Sequence, residues 1–278
     1  MAVSKQKAGK ILKQCLFAGL IFIIVIPVLF PLYFVLISSF KNMAQVYIMP
    51  PKLFGFKPIL DNYIYIFKTQ HYGTYMLNST IVAVASTALS LLMGVPAAYA
   101  IARYKMGKVS IAILTARLLP NISILLPYYF VFSKLRMIDT YGALIISHMI
   151  LSLPLIVWIM VGFFNDMPVE LEEAAIVDGC TRQKCFVDVL LPISAPGLVT
   201  CSTLSFLGSW NNFQFALILS GEKTRTLPVS LQYFVSGADI RWGRMLAATI
   251  VVIVPTIILT MILQKYIIQG MTAGAVKG

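Results

Sequence analysis

Long stretches without charge constrain the fold of this chain more than any other feature of its sequence. A helix needs about 20 consecutive apolar residues to cross the hydrocarbon core of a bilayer. Six apolar stretches are long enough, and only the third contains a charged residue: 14–40, 72–102, 109–133, 140–165, 189–221 and 245–264. The sequence therefore predicts an all-α, polytopic membrane protein with six transmembrane helices.

The composition supports the membrane class. The 278 residues are 59% hydrophobic and only 12% charged, whereas a soluble domain carries about 25% charged residues. The mean hydropathy is +0.87. The net charge of +12 fits anionic lipid headgroups and cytoplasmic loops, so no nucleic-acid partner is expected. The four cysteines form no CxxC pair and are interpreted as small apolar residues with free thiols.

Basic residues are divided almost evenly between the two sides of the predicted bundle, so the first span decides its orientation. Four lysines precede that span, namely Lys5, Lys7, Lys10 and Lys13, and they favour a cytoplasmic N-terminus. With six spans, the C-terminus lies on the same side. The first stretch is too long for a cleaved signal peptide and has no A-x-A site at its end.

The spans divide the chain into three predicted parts. These are a cytoplasmic N-terminal segment at 1–15, a six-span transmembrane domain at 16–268 and a cytoplasmic C-terminal tail at 269–278. The longest outer loop, 41–70, is rich in proline and turn residues, which predicts ordered turns and one short helix rather than a domain. A charged segment at 165–192 lies outside the bilayer between the fourth and fifth spans.

The first half of this charged segment is predicted to be a short helix. Pro168 suits the first turn of a helix. Three acidic residues then follow near the N-terminus, where the helix dipole favours negative charge: Glu170, Glu172 and Glu173. Ala174 and Ala175 lack bulk, so another surface can approach the backbone closely.

The second half of the segment is predicted to be another helix after a glycine turn. Asp178 and Gly179 form a helix stop, in which glycine adopts a positive φ angle at low cost. Thr181 is suited to cap a helix that runs to Leu190 and is ended by Pro192. An ordinary surface hairpin between two spans would show the same local features.

The full spacing of the segment carries more information than its local features. Glu173-Ala174-Ala175 is followed after three residues by Gly179 and after eleven more by Leu191-Pro192. This pattern resembles the cytoplasmic docking loop of permeases of ATP-binding cassette (ABC) importers, with Val189 in place of the usual isoleucine. The docking residues implied are Glu170, Glu172, Glu173, Ala174, Ala175, Asp178, Gly179, Leu191 and Pro192.

The resemblance extends over nearly the whole chain outside the outer loop and points to the carbohydrate-uptake branch. Its motifs are Ala102-Arg103-Tyr104, Arg117-Leu118-Leu119-Pro120, Asp139-Thr140-Tyr141-Gly142, Gly162-Phe163-Phe164, Ser209-Trp210-Asn211-Asn212-Phe213, Thr226-Leu227-Pro228 and the tail from Gly270. The chain is most similar to the second, six-span permease of maltose-type systems. Asn212 departs from the pattern, because many relatives have an acid there.

The resemblance implies a set of partners and a location. They are a sister permease that forms a heterodimer with this chain, two cytoplasmic ABC ATPase subunits, an extracytoplasmic solute-binding protein, membrane lipid and a carbohydrate, expected to be an oligosaccharide. The location implied is the bacterial plasma (inner) membrane. The subunit itself is expected to have no catalytic site, metal or cofactor, and ATP and Mg are bound by the partner subunits.

Neutral polar and aromatic residues in two spans are candidates for a sugar path. They are Asn121, Ser123 and Tyr128 in the third span and Ser209, Trp210, Asn211, Asn212 and Gln214 in the fifth. Sugars suit aromatic faces and amide hydrogen bonds. Helix kinking and interhelical hydrogen bonding explain the same residues equally well.

Missing features weigh against the other function classes. The sequence has no G-x-x-x-x-G-K-[ST] motif and no HExxH motif. The alternative is a self-sufficient secondary carrier or channel. No Asp or Glu lies in an apolar span, which argues against ion-driven transport, since proton relays commonly need such acids. Arg117 is interpreted either as snorkelling to the interface or as facing the pore or a partner. His148 is interpreted as a hydrogen-bonded packing residue.

Overall fold

The computed structural model describes residues 2–235 and 240–273, and this part of the chain is entirely helical and irregular, without a strand. The helices are α1 Ala2–Ser39, α2 Met43–Val46, α3 Asp61–Lys68, α4 Tyr72–Arg103, α5 Gly107–Ala116, α6 Asn121–Lys134, α7 Tyr141–Asp166, α8 Glu170–Val177, α9 Arg182–Cys185, α10 Leu191–Ile193, α11 Ala195–Trp210, α12 Gln214–Leu219, α13 Leu227–Ser230 and α14 Trp242–Ala273. A π-helical turn, Phe186–Leu190, joins α9 to α10, and a 3₁₀ turn, Leu231–Phe234, follows α13. The predicted all-α class is confirmed.

Four helices are long and apolar enough to cross a membrane as single rods: Gly19–Ser39 of α1, α4, α7 and Trp242–Gln264 of α14. Two further spans are bent pairs. α5 meets α6 at 87°, and Arg182–Ile193 meets α11 at 76°. The described residues contain up to six spans when each bent pair is counted as one, so the predicted number of spans agrees with the structure.

The third and fifth spans are not the continuous stretches that hydropathy predicted. α5 ends at Ala116, and Pro120 lacks the N–H that would bond to the carbonyl of Ala116 in a continued helix. The fifth span breaks at Ser194, where Pro196 likewise has no N–H to give the carbonyl of Pro192. It breaks again between Trp210 and Gln214.

The described residues form two compact units, one of residues up to 71 with 231–251, the other of 72–230 with those from 252 onward. In the first unit the loop 41–70 is tied to the end of α1, because Asn62 Nδ2 donates to the carbonyls of Ser39 (2.8 Å) and Lys41 (2.9 Å). The guanidinium of Arg244 lies 3.5 Å from the ring centre of Tyr65. This loop contains two short helices, α2 and α3, where one was predicted.

The second unit is built on α4, α7 and α11, which pack against one another. Small residues allow the close approach. A Cβ on Gly94 would lie 2.9 Å from Ile156 Cγ2, and one on Gly197 would lie 2.7 Å from Phe163 Cδ2. Such small-residue contacts are how membrane helices gain packing energy without a hydrophobic driving force.

The predicted boundaries at the two ends of the chain stay predictions. α1 runs from Ala2 into the first span without a break at residue 15. α14 continues through Ala273, and the rest of the predicted tail, 274–278, lies outside the described residues.

Candidate functional site

The charged segment between α7 and α11 folds as a helical hairpin, residues 167–193, whose turn is fixed by Gly179. The N–H of Gly179 donates to the carbonyl of Ile176 (3.0 Å), and that of Cys180 donates to the carbonyl of Ala175 (2.9 Å). This pair of bonds is a Schellman motif, which needs a left-handed residue after the helix. Gly179 supplies it with φ of +89°, so the predicted positive φ is confirmed.

The second arm of the hairpin is longer than predicted. Thr181 caps it as expected, because its side chain accepts the N–H of Lys184. The arm does not end at Leu190, however, but continues through a π-helical turn and α10 to Ile193. The N–H of Leu191 reaches back to the carbonyl of Phe186, and this wider turn makes room for the ring of Pro192, which has no N–H to donate.

Glu172 anchors the hairpin to the ends of two membrane helices. Arg103 Nε donates to Glu172 Oε1, and the hydroxyl of Tyr99 donates to Glu172 Oε2 at 2.9 Å. Arg103 Nη1 also donates to the carbonyl of Phe164 at 2.8 Å. The ion-paired side chains are each only 13% exposed. The carboxylate of Glu172 is thus used inside the subunit.

An apolar layer lies beneath this ion pair. The rings of Tyr99, Phe164 and Phe186 have centres 5.0 to 6.2 Å apart. Ala175 and Cys185, one from each arm of the hairpin, are buried in the same cluster. The hairpin is therefore packed against α4 and α7 rather than hanging from them as a free loop.

The other predicted docking residues face outward. Six of them are exposed and Leu191 is half-buried. The exposed ones are Glu170, Glu173, Ala174, Asp178, Gly179 and Pro192. Large apolar side chains of the hairpin are exposed as well: Val169, Leu171, Ile176, Val177 and Val187. Val177 is 86% exposed, which is costly for a surface that stays in water. This outer surface of the hairpin thus combines acidic and apolar groups, and exposed apolar patches rimmed by polar residues are typical of protein–protein or membrane interaction sites.

The candidate path residues of the third span lie at its bend. Asn121 begins α6 directly after Pro120 and is exposed, as is Ser123. Tyr128 is half-buried and packs edge-on against Phe215, with ring centres 5.4 Å apart. The structure thus brings α6 and α12, from the two bent spans, into direct contact.

The candidate path residues of the fifth span lie at its second break. Trp210 is buried, donates from Nε1 to the carbonyl of Val252 (3.2 Å) and stacks on Phe206. Asn211 Nδ2 donates to the carbonyl of Leu207 (3.0 Å). Asn212 Oδ1 accepts the N–H of Phe215 (3.1 Å) and so caps α12. Gln214 is exposed.

The sequence that forms this hairpin and the two bent spans matches a known family. The model of the binding-protein-dependent transport system inner membrane component matches residues 90–273. The chain belongs to this family. The match includes the hairpin and both bent spans, and the predicted resemblance to ABC importer permeases is confirmed. The protein is accordingly a multi-pass inner-membrane component of a binding-protein-dependent transport system, rather than a self-sufficient carrier or channel.

Individual relatives are similar over nearly their whole length. A permease protein of a sulfoquinovosyl glycerol transport system from Agrobacterium fabrum is 36% identical, with 92% of this chain and 91% of that protein covered. A permease protein of a trehalose/maltose transport system from Thermococcus litoralis is 35% identical, with 97% and 99% covered. A solved bacterial ABC transporter involved in import of the acidic polysaccharide alginate has a chain of the same fold. Its TM-score is 0.80 at 21% identity, with 93% of this chain and 97% of that chain covered.

Two sets of hydrogen bonds between distant residues of this permease were not predicted from the sequence. The first is a buried cluster that joins α4, α7 and α11. Ser86 Oγ donates to Ser209 Oγ (3.1 Å), and His148 Nδ1 lies 2.7 Å from the same oxygen. His148 is thus a hydrogen-bonded packing residue, as predicted. No group of His, Cys, Asp and Glu in the described ranges is arranged to hold a metal ion.

The second feature is a clasp between two loops, centred on Asp139. Asp139 has φ of +58° and accepts bonds from the backbone N–H of Gly221 (2.8 Å) and from the N–H and Oγ1 of Thr224 (3.0 and 2.8 Å). Partial burial opposes ionisation of the carboxyl, but these hydrogen bonds outweigh it and lower the pKa of Asp139. Its own N–H donates to the carbonyl of Leu219, so the clasp holds the end of α12.

Arg117 lies at the 87° bend and lines a shallow groove of about 560 Å³ with apolar residues of α5 and with Trp158 of α7. Its side chain is exposed and has no hydrogen bond or ion pair within residues 2–235 and 240–273. Trp158 is 53% exposed. The groove is thus an open, mainly apolar surface with one cation at its edge.

Proposed function

We propose that this chain is the permease subunit that couples ATP hydrolysis to carbohydrate import, with the outer surface of the hairpin as the docking site for an ATPase subunit. The observation that carries the proposal is that one acidic residue of the hairpin binds within the subunit while its neighbours stay exposed. Glu172 is used to anchor it to α4, while Glu170, Glu173 and the apolar side chains around them stay exposed. The relatives named for trehalose/maltose and sulfoquinovosyl glycerol transport support a carbohydrate as the substrate class.

The proposed assembly contains this chain, a sister permease, two ATPase subunits and an external solute-binding protein. Only 6% of the most apolar window of Gly19–Ser39 is buried within the chain, against 44% for α4, which leaves α1 free to contact lipid or a sister permease. This chain carries out no bond chemistry in the proposal. ATP and Mg are held by the ATPase subunits.

The proposed orientation follows from the hairpin. ATPase subunits act where ATP is, so the hairpin lies on the cytoplasmic side, with the C-terminal ends of α4 and α7. Six spans then place both termini in the cytoplasm, in agreement with the lysines that precede the first span.

Movement of the ATPase is proposed to reach the membrane helices through two contacts. Glu172 passes it to the end of α4 through Arg103 and Tyr99, and Phe186 passes it to α7 through Phe164. Ala174 offers little bulk on the outer surface, so a partner can approach the backbone of α8 closely. Gly179 fixes the angle between the two arms.

The proposed substrate path lies at the breaks in the third and fifth spans. Irregular backbone at membrane depth is tolerated where it is buried in protein or lines a water-filled cavity. Asn121 and Gln214 offer exposed amides beside these breaks, and amides can both donate to and accept from sugar hydroxyls. Trp210 supports the break through its contact with Val252.

Glu173→Ala tests the docking proposal directly. Removing one member of a charge pair desolvated at an interface costs about 2–5 kcal/mol, so ATPase subunits should dissociate more readily during detergent pull-down. Substrate-stimulated ATP hydrolysis in proteoliposomes should fall as well. Glu222→Ala is the matched control, because Glu222 is also an exposed acid but lies in the loop after α12. If both variants retain the ATPase subunits and stimulate ATP hydrolysis equally, the hairpin is not the coupling element.

A further inference from the structure

Part of the first loop turns back along the membrane helix from which it emerges. The loop closes at its stem, where the N–H of Ile59 donates to the carbonyl of Phe40 at 2.8 Å. Between these residues the chain does not extend away from α1. The hydroxyl of Tyr33 donates to the carbonyl of Leu53 at 3.1 Å, and the rings of Tyr33 and Phe54 have centres 6.0 Å apart.

The position of Tyr33 sets the depth of this contact. The span Gly19–Ser39 contains Tyr33, and six residues at 1.5 Å each place its Cα about 9 Å below the end of the helix. Side chains of a helix tilt toward its N-terminus, which carries the Tyr33 hydroxyl deeper still. Leu53 and Phe54 therefore lie beside α1, about 9 Å or more below the Ser39 end of this span.

A buried lysine holds the loop in this position. Lys41 is 1% exposed and donates from Nζ to the carbonyl of Lys52 at 2.6 Å. Its ammonium group also lies 4.8 Å from the ring centre of Phe56 and 6.0 Å from that of Phe34, a residue of α1. Cation–π contacts of this kind strengthen when water is excluded. Burial lowers the pKa of Lys41.

The surface that this arrangement presents is apolar. Phe54 is 76% exposed and Met49 is 87% exposed, and Tyr47 and Ile48 beside them are exposed too. Lys52 and Lys57, also exposed, flank Phe54 in sequence. Aromatic side chains flanked by lysines are typical of segments in the membrane interface, where rings lie at headgroup level and ammonium groups meet phosphate.

We propose that residues 47–57 form a membrane-interface anchor that inserts Phe54 and Met49 into the bilayer leaflet at the Ser39 end of α1. The occupant of this surface is lipid, because the loop is continuous with a membrane span and packs along it instead of projecting into water. In the proposed orientation this is the outer leaflet. The anchor fixes the outer end of the first span independently of what the permease transports.

Site-directed spin labelling tests the anchor. A nitroxide is attached at Phe54→Cys or, separately, at Met49→Cys in the assembled transporter in phosphatidylcholine–phosphatidylglycerol nanodiscs. The background carries alanine at Cys15, Cys180, Cys185 and Cys201 and must retain transport. Collisions with O₂, which concentrates in lipid, are compared with collisions with Ni(II)EDDA, which stays in water. The controls are Phe30→Cys, an exposed position within the span, and Lys57→Cys, the exposed last residue of the anchor, whose side chain is expected to stay on the water side of the headgroups.

The anchor predicts positive depth parameters at 54 and 49, of the same sign as at 30, and a negative one at 57. A negative value at both 54 and 49 would mean that the loop lies in water and would overturn the proposal. Protection of both positions from both reagents would also overturn it, in favour of a protein contact. If that protection needs added solute-binding protein, the contact is with the binding protein; otherwise it is with a sister permease.

Discussion

The hairpin joins the fourth and fifth spans, and the second break, at 211–213, lies within the fifth span; the two regions use their polar side chains in opposite ways. In the hairpin, local backbone bonds and one ion pair provide the stability, and Glu170 and Glu173 remain exposed. At the break, Asn211 and Asn212 turn back to bond to their own backbone, and Trp210 bonds to the backbone of α14.

This difference predicts different consequences of mutation. A hairpin with free outward side chains can lose a partner contact without unfolding. A break whose polar side chains bond to backbone loses stability first. The buried bond of Trp210 matters most, because a buried group left without its hydrogen bond costs more than a made bond contributes. The exceptions within each region, Glu172 and Gln214, are the sharpest tests of the comparison.

The largest effect is expected when the ion pair of the hairpin is broken. Glu172→Gln leaves the Arg103 guanidinium without its carboxylate, and breaking a buried pair costs about 3–5 kcal/mol. Thermal unfolding of the purified permease pair should shift down together with ATPase retention. Glu173→Gln is the matched control and should lower retention alone. Loss of retention in Glu172→Gln without loss of stability would place Glu172 on the partner surface instead.

The next effect is expected at the clasp that holds α12. Asp139→Asn removes the charge from several hydrogen bonds and should lower the free energy of unfolding by about 2 kcal/mol, since bonds to charged groups contribute more than neutral ones. The lowered pKa of Asp139 sets the sign of the pH dependence. A carboxyl with a lowered folded pKa stabilises fully above its unfolded pKa, about 4, and loses this contribution as pH falls through the folded pKa.

Thermal unfolding of the wild type and Asp139→Asn across pH measures this contribution. The difference between their unfolding temperatures should be constant from neutral pH to about 5 and should disappear below about 4. A difference that persists in acid, or that disappears as pH rises, would contradict the assignment of the clasp to the ionised carboxylate. Glu222→Gln is the control, because Glu222 is exposed and lies in the loop that carries Gly221 and Thr224, and its unfolding temperature should equal that of the wild type.

A smaller change in stability but a clear change in docking is expected at the hairpin turn. A left-handed residue other than glycine costs about 1–2 kcal/mol, and a β-branched one is the least suited to it. Gly179→Val should therefore re-aim the second arm and lower ATPase retention, while Gly179→Asn should do so less. Gly73→Val is the control, because Gly73 is helical, exposed and open to a Cβ. Equal retention in Gly179→Val and Gly73→Val would show that the turn angle does not matter for docking.

Features fixed by short-range chemistry could be predicted from the sequence. Hydropathy located α4 and α7 to within a residue. A long apolar stretch in lipid has few alternatives to a helix, because its backbone N–H and C=O groups must bond to one another. The Asp178-Gly179 stop and the Thr181 cap were predicted because helix termini are set by their own side chains. The docking surface stays a proposal, and it rests on the resemblance of one segment's spacing to that of ABC importer permeases.

Features set by distant residues could not be predicted. Pro120 and Pro196 lie at the interruptions, but the bends of 87° and 76° depend on how the flanking helices pack. Glu172 could not be separated from Glu170 and Glu173, because its partner Arg103 lies in another helix. The same holds for Trp210, whose bond to Val252 joins two spans far apart in sequence.

The smallest effect is expected at the break itself, and it divides the candidate path residues into two kinds. Trp210→Phe keeps the stack on Phe206 but loses the bond to Val252. The loss should be about 1 kcal/mol of stability, with the Michaelis constant for sugar uptake in proteoliposomes unchanged. Gln214→Ala removes an exposed amide and should raise that constant while leaving thermal unfolding as it was. The reverse pattern would mean that the indole faces the solute and the glutamine supports the fold. In that case the break would use its polar groups outward, as the hairpin does, and the contrast between the two regions would not hold.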